Sequence, residues 1–236
     1  LGNTVEEIAT EKAGIIKKNT VIISGDENEK VKSIIIKKAA ENNSDWVDAT
    51  LINVELPSDL KGNYQQKNIK VVLALIDELR NLGIEIPQEK IKSGLLNVQQ
   101  NTGFIGRWFE FSKDPLIICD TGHNQAGLEE VFAQLNSIPK FKHIILGFVK
   151  DKKIDEVLKI LPENSTFYFA KPYLNRGLHP SFYEDQLKKS KINYKIFDEV
   201  NGAYLSAKQN LKNGEMIFIG GSNFVVGEFL EKNLQK

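Results

Sequence analysis

Asp120, Thr121, Gly122, His123 and Asn124 come directly after the apolar run Leu116-Ile117-Ile118-Cys119. A carboxylate and an imidazole three positions apart suit ribose hydroxyls and phosphate oxygens, as strand-tip carboxylates do in dinucleotide folds. A plainer reading, with Asp120 capping the next helix and His123 in a loop, stands level with it on chemistry alone. Cys119 lies inside the apolar run and reads as a small core residue, which argues against nucleophile–base catalysis there. Arg107 sits between Gly106 and Trp108. A guanidinium forks onto phosphate oxygens and a neighbouring glycine lets backbone approach, although on spacing alone a surface arginine packed on Trp108 is the simpler reading. Gly220-Gly221-Ser222-Asn223 could offer backbone amides to an anion or be ordinary turn chemistry. The chain contains neither a dinucleotide glycine fingerprint nor a Walker A loop. By spacing, Lys12 is a solvated helix lysine beside Glu11, and Gln65 and Asn68 form a cap and its neighbour.

Short apolar runs alternating with helical patterns must position these groups. Strands are expected at Leu116–Cys119, His143–Val149, Thr166–Ala170, Tyr194–Phe197 and Met216–Gly220. Helices are expected at Gly127–Asn136, Ile154–Leu161, Pro180–Lys189, Asn201–Asn213 and Phe224–Leu234. This rhythm reads as a doubly wound, mostly parallel sheet, with an antiparallel edge strand at Trp108–Phe111. Ligands in such sheets sit beyond the carboxyl ends of the strands, which places Asp120 to Asn124 at a functional edge. Upstream, helices are expected at Thr4–Lys18 (capped by Asn3 or Thr4 and weakened at Gly14), Glu27–Asn42, Asn68–Leu82 and after Pro87. Val71, Val72, Leu75, Ile76 and Leu79 mark the inward face of the third, and Ile91, Leu95 and Leu96 that of the fourth. A strand is expected at Val21–Ser24, and strand with irregular structure over Trp46–Leu56. Gln99–Gly106 is the candidate linker, dividing the chain into residues 1–102 and 103–236.

The 236 residues carry 31 Lys plus Arg against 31 Asp plus Glu, so net charge points to no nucleic-acid or anionic-membrane partner. A single cysteine excludes an internal disulfide and a thiolate metal cluster. Without a membrane-length apolar run or a signal peptide, a cytoplasmic location is expected. The chain opens at Leu1-Gly2-Asn3-Thr4 and its one methionine is Met216, which reads as a piece of something longer.

Leu1-Gly2-Asn3-Thr4 through Glu11-Lys12-Ala13-Gly14-Ile15-Ile16-Lys17 resembles a signature of the folylpolyglutamate synthase and dihydrofolate synthase family, within the Mur ligase superfamily. Gly106-Arg107-Trp108, Asp120-Thr121-Gly122-His123-Asn124, Gly147 with Asp151-Lys152, and Gly221-Ser222 through Gly227-Glu228 resemble that family's later landmarks in the same order. The resemblance implies the remainder of a Mur-ligase-type central ATPase domain followed by a Rossmann-like C-terminal domain. It implies a ligase in which ATP phosphorylates a folate or dihydropteroate carboxylate and L-glutamate attacks the acyl phosphate, with Mg²⁺ and positive groups around the phosphates. Lys12 then matches a lysine the family carbamylates to help hold Mg²⁺, and Arg107 an arginine that reaches the ATP phosphates. Asp120 and His123 match residues at the ribose and phosphates, with Asn124 and Ser222 beside them. Gln65 and Asn68 match a segment lining the adenine site, with Tyr64 and Ile69 where the family usually has His and Ala. The P-loop and further metal ligands are expected upstream of Leu1, so the piece alone is expected to be an inactive monomer. A nucleotide-binding or subunit-contact module without chemistry is the alternative; an unrelated Rossmann-like transferase or oxidoreductase ranks last, for want of a glycine fingerprint.

Overall fold

The computed structural model describes Gly2, residues 4–150 and residues 153–234. Leu1, Asn3, Asp151 and Lys152, which carry parts of the motifs above, lie outside the described residues. The chain forms two compact units, residues 1–59 with 64–101, and residues 60–63 with 102–236.

In the first unit α1 (Val5–Ala13) starts at Thr4, whose hydroxyl accepts from the Glu7 amide while the Glu7 carboxylate accepts from the Thr4 amide. This reciprocal capping satisfies two otherwise orphaned donors. The helix ends at Ala13, with Gly14 as its C-cap still in right-handed helical geometry, rather than running on to Lys18. Strands β1 (Ile22–Ser24) and β2 (Trp46–Asp48) pair in parallel across α2 (Glu29–Glu41). Helix α3 (Gln65–Asn81) begins three residues earlier than Asn68 and buries Gln65, Ile69, Ala74 and Ile76. Val72 and Leu75, expected to face inward, are exposed, as is Leu96 of α4 (Gln88–Leu96). The core of this unit joins Ile69 and Ile76 to Ile91 and Leu95. The expected linker is helical in its first half, as α5 (Val98–Thr102).

The second unit is built on a six-stranded sheet. Its strands are β3 (Phe109–Lys113), β4 (Leu116–Asp120), β5 (Lys142–Leu146), β7 (Ser165–Ala170), β9 (Tyr194–Phe197) and β10 (Met216–Gly220). A two-residue pair, β6 (Phe148–Val149) with β8 (Gly177–Leu178), stands apart from it. The spatial order is β3-β4-β10-β5-β7-β9, parallel except for the antiparallel edge strand β3. The apolar run expected at His143–Val149 is therefore two strands broken at Gly147. Helices α6 (Gln125–Asn136), α7 (Ile154–Leu158), α8 (Glu184–Ser190), α9 (Val200–Asn210) and α10 (Asn223–Asn233) connect the strands. Pro180–Tyr183, expected to open α8, forms a separate 3₁₀ turn. Residues 60–63 join this unit because the Asn63 amide donates to Gln134 Oε1 at 2.8 Å and Gln134 Nε2 donates to the Lys61 carbonyl at 2.9 Å.

Successive strand side chains point to opposite faces. Ile117, Cys119, Ile145, Tyr168, Ile217 and Ile219 pack on one face with Ala203, Tyr204 and Ala207 of α9 and Val225, Val226 and Phe229 of α10. Each fully buried large apolar side chain contributes about 1.5–3 kcal/mol relative to exposure. The alternate residues Ile118, Ile144, Phe167 and Phe218 are also buried, leaving the second face to the remaining helices. A sheet covered on both sides explains why β4 and β5 read as unbroken apolar runs. Cys119 is a free, wholly buried thiol whose ionisation is pushed up by that burial and by the neighbouring Asp120 charge, so it stays unreactive.

Candidate functional site

Strand register brings the candidate groups of the second unit to one edge. Gly220 of β10 pairs with Asp120 of β4 on one side and with Leu146 of β5 on the other. The carboxyl ends of these three strands therefore stand together, and β10 has returned between strands that precede it in sequence. This reversal of strand order is where doubly wound sheets open a ligand crevice.

Asp120 organises the edge. It is 0% exposed. Its Oδ2 accepts from the Trp108 amide and its Oδ1 from the Gly122 amide, each at 2.7 Å. The cap of α6 falls instead to Asn124, whose side chain accepts from the Gly127 amide at 2.7 Å. Thus the carboxylate, expected to touch a ribose or to cap a helix, holds two loops in place. The first is the Gly106-Arg107-Trp108 turn. Gly106 has φ +88° and Trp108 φ +46°, a left-handed conformation that a bulky residue rarely adopts. Trp108 keeps it because its ring is buried and its amide is fixed by Asp120. The Gly106 carbonyl in turn accepts from the Thr121 amide at 2.8 Å.

Arg107, between two residues of left-handed geometry, is half-buried. Among the described residues its guanidinium makes no hydrogen bond or ion pair. His123 is exposed, and its Nδ1 lies 3.1 Å from the Thr121 carbonyl. A carbonyl only accepts, so Nδ1 carries the proton in this contact. Ser222 is buried and caps α10, its hydroxyl accepting from the Phe224 amide at 3.2 Å. A groove of about 470 Å³ runs past Ile105, Gly106 and Thr121 along Asn223, Val226 and Leu230 of α10.

Gly147 lies beside these loops. A Cβ on it would fall 2.6 Å from the Ala170 carbonyl oxygen and 2.8 Å from Val225 Cγ2. Only glycine lets these segments approach so closely.

In the first unit Lys12 is exposed in the last turn of α1. Gln65 is buried at the start of α3, and its Oε1 accepts from Asn68 Nδ2 at 2.8 Å. Neither is the helix cap, since Tyr64 occupies that position. Among the described residues no three His, Cys, Asp or Glu side chains gather to hold a metal ion, and no helix is long and apolar enough to cross a membrane.

Two features escaped sequence reasoning. The Arg176 guanidinium lies 5.5 Å from the Phe224 ring centroid. Glu228 of α10 accepts from the Tyr173 and Val200 amides at 3.0 and 3.3 Å. The family resemblance took in Glu228 without a role, and its partners are distant in sequence and leave no local signature.

A sheet of this order, with a buried strand-tip carboxylate holding an arginine-bearing turn, is that of a ligase domain: residues 106–223 match the family "Mur ligase, glutamate ligase domain", and the chain belongs to it. It is 26% identical to the dihydrofolate synthase/folylpolyglutamate synthase of Buchnera aphidicola, over 98% of this chain and 57% of that protein. The bifunctional folylpolyglutamate synthase/dihydrofolate synthase of Yersinia pestis, solved in complex with AMPPNP and Mn ion, is similar with TM-score 0.82 and 22% identity, over 100% of this chain and 58% of that one. For the Mycobacterium tuberculosis folylpolyglutamate synthase complexed with ADP and AMPPCP the values are 0.83 and 19%, over 100% and 61%. The two structures bear on the fold alone. The chain spans 57% of the length of the curated relative.

Proposed function

We propose that this chain is the later part of an ATP-dependent ligase that joins L-glutamate to a folate or dihydropteroate carboxylate through an acyl phosphate. The observation that carries the reading is the Arg107 guanidinium, without a partner among the described residues, in a left-handed turn pinned by the buried Asp120 carboxylate. A charged donor held half-buried and unpaired is costly unless an anion completes it. Relatives named as folylpolyglutamate and dihydrofolate synthases, one solved with AMPPNP and Mn ion, supply the substrate class and the nucleotide.

Arg107 would fork onto phosphate oxygens of ATP, with His123 and Ser222 beside it. Asp120 acts by holding the turn, and Asn124 by fixing the start of α6. Gln65 and Asn68 would meet the adenine. When bound, ATP supplies the phosphoryl group that turns the acceptor carboxylate into an electrophile. Lys12, carbamylated, would add one anionic oxygen to Mg²⁺. The other metal ligands are assigned to a P-loop portion of the same protein, since the described residues do not gather a set of their own. The second unit serves as the C-terminal domain of this ligase and the first as the later part of its central domain. Residues 1–236 by themselves form no active ligase.

The test is calorimetry and ADP release with the P-loop portion supplied. Arg107→Ala should weaken AMPPNP binding about ten- to hundredfold, the worth of a charge-assisted hydrogen bond or two. Unchanged affinity removes Arg107 from the phosphate site. ADP release should require both glutamate and the folate or dihydropteroate acceptor; release indifferent to glutamate would end the ligase reading.

A further inference from the structure

Beyond the strand ends that carry Arg107 and His123, the same edge has a second wall. The loop after β7, from Lys171 to Asn175, lines a cavity of about 630 Å³ together with Asp198 and Glu199. We propose that Glu228 is the residue that positions this wall, fixing the loop after β7 and the start of α9 against α10 at the ligand edge. What that edge binds rests on the reading under Proposed function; the role of Glu228 in holding the loop does not.

Glu228 projects from α10 with its side chain only 11% exposed. Its Oε2 accepts from the Tyr173 amide at 3.0 Å and its Oε1 from the Val200 amide at 3.3 Å. These two amides belong to segments 27 residues apart, one after β7 and the other after β9. The Tyr173 side chain is 93% exposed, so burial of its ring does not secure the loop at that point. The first residue of α9 likewise lacks a local cap, because Glu199 at the N-cap position makes no side-chain cap hydrogen bond. Glu228 therefore does from a distant helix what a capping residue does locally. Lys232, one turn on, lies 4.0 Å from Glu228 and 3.0 Å from Glu199, and closes the cluster.

The loop so held reaches the site. A Cβ on Gly147 would come within 3.1 Å of Pro172 Cγ, so the loop begins in contact with the turn after β5. It ends where Arg176 lies over Phe224, two residues beyond Ser222. Only a carboxylate accepts from both amides at once; an amide side chain in its place offers one oxygen.

Amide hydrogen exchange on the 236-residue chain tests the arrangement. In Glu228→Ala the Tyr173 and Val200 amides should exchange about five- to tenfold faster, while β5 and β10 stay protected. Glu228→Gln should restore slow exchange at one of the two amides, and it serves alone if the alanine variant does not fold. Unchanged exchange at both amides in Glu228→Ala, or in Glu228→Gln if that variant must stand alone, overturns the proposal. With the P-loop portion supplied, Glu228→Ala should lose ligation rate about tenfold and Glu228→Gln less. Faster exchange with undiminished ligation also overturns it. If the unsubstituted protein ligates nothing, the functional reading fails, and the exchange result still decides what Glu228 holds.

Discussion

Replacing Asp120 separates a loop-holding carboxylate from one that only meets ligand. Asp120→Ala strips the acceptors from two buried amides, those of Trp108 and Gly122. Each donor left unsatisfied costs about 1–3 kcal/mol, against which the relief of a buried charge must be set, so a net loss of about 1–4 kcal/mol is expected. Asp120→Asn keeps one acceptor oxygen and should lose about half as much. The two tryptophans lie in different units, so a Trp46→Phe background leaves Trp108 as the reporter of the second. That background costs little, since Trp46 Nε1 is buried without a partner among the described residues. Urea unfolding followed by Trp108 emission then measures both variants, and the midpoint shift should come with an unchanged slope. An Asp120→Ala midpoint equivalent to less than about 0.5 kcal/mol, the range of an ordinary surface substitution, would refute the holding role.

Gly147→Ala forces a methyl against the Ala170 carbonyl and Val225; a loss of about 1–3 kcal/mol in the same assay is expected, and unaltered stability would show that the turn has room. At the opposite end of the sheet Glu215 accepts from His143 Nε2 at 2.9 Å and from the Lys212 amide at 2.8 Å, while His143 Nδ1 meets the Tyr168 hydroxyl at 2.9 Å. Burial pushes the Glu215 carboxyl up, but these hydrogen bonds and the adjacent charges outweigh it and hold it below its ordinary value. A carboxyl depressed on folding stabilises the fold above its unfolded value, near about pH 4, and that contribution fades as pH falls through the folded value. Thermal midpoints from neutral to acid pH should therefore fall less steeply in Glu215→Gln than in the parent; parallel curves would remove Glu215 from the acid response.

Leu116–Cys119 announced itself because a strand covered on both faces needs no polar alternation, and Met216–Gly220 did so for the same reason. The break at Gly147 did not, since apolar residues continue on both sides and the cause is the approach of Ala170 and Val225 from elsewhere in the chain. On α3 the helical period was legible and Ile76 does lie in the core, but part of the expected stripe was misplaced. Ile69 and Ala74 occupy the core, and Val72 and Leu75 are left outside. The strand-tip acid stood out in the sequence, yet its hold on two loops was invisible there. A carboxylate that meets ligand and one that holds a turn have the same sequence signature, and the difference lies in the amide of Trp108, 12 residues away. Strand order also leaves no local trace, because the place of β10 depends on which edges β4 and β5 leave open.

That central place of β10 bears on how the protein is made. Translation reaches Met216 only after the other five strands of the sheet have been synthesised, so β4 and β5 wait with open edges for the strand that will lie between them. Until then the nascent domain carries two bare β-edges able to pair with a neighbour. A ribosome stalled, or a reading frame cut, before residue 216 leaves two half-sheets rather than a slightly shorter domain.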